Sequence, residues 1–81
     1  MNPTALMYGP YRFGFFSQDG HEPPHVHVFR DDREAKVWLN NLSVEVNDGF
    51  SQRELNEIVR IIQANLETIQ EKWRGHFGSY S

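Results

Sequence analysis

The chain has 81 residues, with eight Lys and Arg against eleven Asp and Glu and a formal net charge of −3. That length allows a single domain, 1–81, with a modest core. The absence of cysteine excludes disulfides and thiolate metal sites, and the acidic balance speaks against a general nucleic-acid binder, which carries a basic field.

Residues 1–10, MNPTALMYGP, read as a lead. They lack the basic region and apolar run of a secretory signal, and no segment of the chain reaches membrane-spanning length, so the expectation is a soluble cytoplasmic protein. Residues 11–46 read as a β-meander. In YRFGFFS, Tyr11, Phe13 and Phe15 share one face, with Arg12, Gly14 and Phe16 on the other. Asp19-Gly20 is a turn pair. A second alternating run covers His25 to Arg30, Asp31-Asp32 makes a turn, and a third run, Glu34 to Asn40, sets Ala35, Val37 and Leu39 on one face. A short fourth run, Ser43 to Val46, is expected to point Val44 and Val46 inward. Short connections between these runs predict antiparallel pairing.

The remaining residues read as one helix over 51–74. Ser51-Gln52-Arg53-Glu54 fits a capping box, and Phe50 with Leu55 fits a hydrophobic staple. Leu55, Ile58, Val59, Ile62, Leu66, Ile69 and Trp73 then recur on one helical stripe, with Gly75 as the expected C-terminal cap. Ile61 lies off that stripe and is a candidate seam for a homodimer. A stripe of this size must lie on the sheet, so the fold class is α+β: a small antiparallel sheet of three to four strands covered by one long C-terminal helix.

Chemistry concentrates in HEPPHVHV, residues 21–28, which holds three of the four histidines. On a strand His25 and His27 point to one side and Val26 and Val28 to the other. The valines suit the helix side, which leaves the histidines on the outer face and free of any packing duty. Pro23 and Pro24 stiffen the approach and hold His21 and Glu22 near the strand's start. Three readings of the cluster stand side by side. His21, His25 and His27, or Glu22 in place of His21, could ligate Zn²⁺ or another divalent metal. His25 or His27 could transfer protons near neutral pH, with Lys36 completing a catalytic set and Arg12, His21, Glu22 and Trp38 contacting RNA or another phosphate-bearing substrate. Or the two histidines are half-exposed strand residues on a polar face. The double proline favours a site over a mere sheet edge.

The pieces YRFGFFSQDGHEPPHVHV, EAKVWLN, NDGFSQRELNEI and EKWRGHFG, in that order and spacing, resemble a widespread bacterial family catalogued as domain of unknown function 4160. The resemblance implies a motif at His21, Glu22, Pro23, Pro24, His25, His27, Lys36, Trp38, Asp48, Gly49 and Phe50. It also implies a short stand-alone protein, encoded beside a small protein partner and considered a toxin–antitoxin component. Two functions follow as expectations: a toxin–antitoxin-type component acting on RNA through the His25/His27 face, or a non-enzymatic protein-binding module with a histidine metal site.

Overall fold

A computed structural model describes residues 4–79. Five strands, β1 (Thr4–Tyr8), β2 (Tyr11–Gly14), β3 (His25–Arg30), β4 (Arg33–Trp38) and β5 (Val44–Asp48), pair antiparallel in chain order, followed by α1 (Gln52–Ala64) and α2 (Leu66–Phe77). The α+β class and the meander therefore hold, with five strands in place of three to four and two helices in place of one. No helix among the described residues is long and apolar enough to cross a membrane.

The additional strand comes from the lead. Thr4–Tyr8 pairs with β2 across a tight turn in which Gly9 takes a φ of +56°, a conformation glycine adopts at no steric cost. Leu6, Met7 and Tyr8 are consecutive large residues without alternation, and an irregularity at Ala5 shifts the register, so periodicity does not reveal this strand. Residues 15–24, expected to hold a simple Asp19-Gly20 turn, instead form a long connection with one 3₁₀ turn at Asp19–His21.

The inner face of the sheet carries Tyr11, Phe13, Val26, Val28, Ala35 and Val37, all buried, and Ile58, Ile62, Ile69 and Trp73 cover it from the helices. The expectation for β5 does not hold. Lys36 lies opposite Val46 but Val37 lies opposite Val44, so Glu45 is an extra residue in the ladder. A bulge of this kind reverses side-chain parity. Val46 thus falls on the outer side and Val44 runs past the helical cover, and both are exposed.

Ser51 opens α1 as expected. Its hydroxyl accepts from the Glu54 N–H at 3.1 Å, and Glu54 Oε1 accepts from the Ser51 N–H at 3.0 Å. Phe50 and Leu55, the staple pair, are both buried. The helix then breaks at Asn65, whose φ of −119° and ψ of 20° leave the helical region and whose Nδ2 donates to the Ile61 carbonyl at 2.8 Å. A side-chain amide that competes for helical carbonyls in this way interrupts the ladder. The apolar spacing passes through the break unchanged, which is why it reads as one helix. The cap moves with it: Gly75 lies inside α2, and Gly78, at φ +85°, ends it. Val59 and Leu66 are only partly buried, while Ile61 belongs to the core and is no exposed seam.

Two predictions follow. Ile62→Ala should cost about 2–5 kcal/mol in a denaturant titration, because the residue is fully enclosed, and Leu66→Ala should cost clearly less; equal losses would contradict this packing. Glu54 is held below the usual carboxylate range, first by the Ser51 N–H and then by Arg33, whose guanidinium lies 2.6 Å away. A depressed carboxylate contributes stability above its unfolded pKa and loses it as pH falls through the folded value. Glu54→Gln should therefore destabilise the protein at pH 7 and match wild type once the medium is acid enough to protonate Glu54, as read from melting curves across pH.

Candidate functional site

β3 and the 15–24 segment build the site together. The register places His27 beside Gly14 and Lys36, and His25 beside Trp38, on the face opposite Val26 and Val28. That much agrees with the alternation. The exposure does not: His25 is 0% exposed and His27 8%. The 15–24 segment folds back over the outer face and roofs them. Phe16 sets its ring edge-on against His27, centroids 4.4 Å apart, and a second T-shaped contact joins it to Phe29. Trp38 and Trp73 each stand 5.4 Å from the His25 ring. Gly20 lies so near the end of α2 that a Cβ there would come within 2.7 Å of the Phe77 ring, which would have to shift to make room.

Within this chamber Asp19 faces both histidines. Its Oδ1 lies 3.1 Å from His25 Nε2 and its Oδ2 3.1 Å from His27 Nε2, while Oδ2 also accepts from the Phe16 N–H at 2.7 Å. On the far side of each ring stands another acceptor. His25 Nδ1 donates to the Pro23 carbonyl at 2.9 Å, and His27 Nδ1 lies 3.5 Å from Glu34 Oε2. Three buried ring nitrogens, His25 Nε2 and both of His27, make no hydrogen bond; the Asp19 oxygens are near enough but off the N–H axis. Buried polar atoms are almost always paired, so three orphans in two adjacent residues require a physical account. Burial pushes the His27 pKa below its usual value, with the nearby Asp19 carboxylate opposing. Asp19, His25 and His27 each offer a donor atom, all within 4.8 Å of one another, and so could hold a metal ion.

The other expected residues lie around this centre. His21 is exposed on the 3₁₀ turn and outside the group of converging donors. Glu22 is paired with Lys36 Nζ at 2.5 Å, an interaction that holds its carboxyl below the usual range. Lys36 also sits over the Trp38 ring at 4.6 Å, and Trp38 Nε1 donates to Glu45 at 3.0 Å. Arg12 lies over Phe29 at 4.6 Å. The residue missed in the sequence is Asp19. It looks like a turn-former, and its bond to the Phe16 N–H is what a turn aspartate makes, so nothing local marks its second role. Surface grooves occur elsewhere, one lined by Tyr8, Glu57, Arg60 and Ile61 and one by Pro23, Trp38, Asn40 and Asn41, and neither is lined by a histidine.

Comparison with known proteins gives no significant match among curated proteins or solved structures. A family model does match, over residues 11–74, under the description Domain of unknown function (DUF4160). Asp19, Pro23, Pro24, His25, His27 and Trp73 all fall inside that span, whereas β1 and the last turn of α2 lie outside it. With the match running through the sheet, the roof and most of both helices, the chain belongs to the domain of unknown function 4160 family.

Proposed function

We propose that this chain is a non-enzymatic, protein-binding component of a toxin–antitoxin-type pair, and that it engages its partner through the open edge of β5. The observation that carries this reading is the sealed state of the histidines. With both rings under the roof and walled by Phe16, Trp38 and Trp73, a scissile phosphate has no approach to a ring nitrogen. The cations that would offset phosphate charge are also engaged elsewhere, Lys36 with Glu22 and Arg12 over Phe29. Proton transfer to RNA by His25 or His27 would require residues 15–24 to swing off the sheet.

The outermost strand supports the binding alternative. Every residue of β5 is exposed, its outer ladder is unpaired within the sheet, and Val44 and Val46 present apolar surface at 37% and 49% exposure. Unpaired edges of this kind accept an added strand from another protein. Glu45 and Asp48 on the strand, with the overall charge of −3, favour a basic partner.

The test is co-purification with the product of the neighbouring gene, read by size-exclusion chromatography with light scattering, alongside RNA-cleavage assays on the same samples. A mixed complex that Val44→Lys with Val46→Lys disrupts, with RNA left intact, is the expected result. Because both valines are largely outside the core, those lysines should lower the melting temperature only modestly and leave the protein folded. RNA cleaved by the wild type and spared by His27→Gln would overturn the reading, and a complex indifferent to the lysines would remove β5 as its site.

A further inference from the structure

We propose that Asp19, His25 and His27 form a binding site for a divalent cation of the Zn²⁺ class, and that the ion fastens the 15–24 segment to β3. The proposal concerns the inside of the fold and is independent of what binds at β5.

The geometry at the ring nitrogens suits a shared ion. A hydrogen bond places its acceptor on the N–H axis. Both Asp19 oxygens are at hydrogen-bonding distance, 3.1 Å, yet neither ring nitrogen makes a well-aligned bond to them. A shared ion calls for this offset. With metal–ligand bonds of about 2.1 Å, donors 3.1 Å apart subtend about 95° at the ion, and each oxygen then lies roughly 40° off the lone-pair axis of its imidazole. The two histidine nitrogens come onto the same ion through modest ring rotation, since all three donor atoms already lie within 4.8 Å.

The rear of each ring is arranged accordingly. Metal-bound imidazoles usually give their second nitrogen to a carbonyl or carboxylate, which fixes the tautomer and aims the ligating nitrogen. Here the Pro23 carbonyl holds His25 Nδ1–H at 2.9 Å, which leaves Nε2 as the lone pair facing Asp19. Glu34 stands 3.5 Å behind His27. An ion between them would take up the Nε2 lone pair and the Asp19 carboxylate together, in a site where His25 is fully buried. Two imidazoles and one carboxylate, with no thiolate, suit a borderline cation. A domain this small and without cysteine also gains from a metal cross-link, since disulfides are unavailable to it.

The experiment uses the full chain, purified without a histidine tag and dialysed against chelator. Zn²⁺ is added while the melting temperature is followed, and Co²⁺ serves as an optical probe of bound geometry. Expected are one ion per chain, visible Co²⁺ bands, and a melting temperature raised by about 5 °C or more at saturating Zn²⁺. Asp19→Asn keeps an oxygen for the Phe16 N–H and should fold, as circular dichroism will show, but it should bind Zn²⁺ at least about tenfold more weakly. His27→Gln should behave likewise, whereas His21→Gln should bind as wild type. No Co²⁺ bands and no Zn²⁺-dependent shift in the wild type would overturn the proposal whatever the variants do. Unweakened binding by Asp19→Asn, or lost binding by His21→Gln, would overturn this ligand set.

Discussion

Two imidazole rings enclosed on the outer side of a sheet impose a demand that the rest of the molecule meets. Each buried nitrogen must face something polar. The Pro23 carbonyl meets the demand at one nitrogen, and a single carboxylate, Asp19, faces two more. Asp19 can do this only if the chain between β2 and β3 leaves the sheet edge and returns across the outer face. That path brings Gly20 against the Phe77 ring at the end of α2. Roof, strand and second helix are thus coupled through one chamber.

The same enclosure gives the sheet a second packed side. Its inner face is covered by α1 and α2 in the ordinary manner of an α+β domain. Its outer face would leave Phe29, Trp38 and two histidines in water, and Phe16 with the rest of the roof covers part of that surface. The charged remainder is organised in pairs, Lys36 with Glu22 and Arg33 with Glu54, at the margins of the chamber. The more exposed of the two, Lys36 with Glu22, contributes little on its own. The placement of the two pairs ties the roof to β4 and the start of α1 to the β3–β4 turn.

Local patterns in the sequence were legible where one short window held the whole cause. Tyr11, Phe13 and Phe15, the Val26/Val28 pair, Ala35 with Val37 and Leu39, and the Ser51–Glu54 box all emerge from spacing alone, and all occur as expected. So does the separation of histidines from valines across β3. What failed depends on parity or on distant chain. One inserted residue at Glu45 reverses the facing of β5, and one amide at Asn65 ends a helix whose apolar period continues unbroken. Asp19 met the histidines through a fold-back that no window of sequence contains. Burial of His25 and His27 was missed for the same reason, because the roof is made from residues that locally spell a turn.

The meander order has a kinetic side. When every strand pairs with its chain neighbour, ladders close over short loops, and little chain entropy is lost before contacts are gained. The roof differs, since its seat is assembled from β3, from Trp38 on β4, and from Trp73 and Phe77 at the far end of the chain. The segment that completes the histidine chamber is thus held by parts of the chain far apart in sequence, and through Phe15, which packs on Trp73 and Phe77, it is also part of the core.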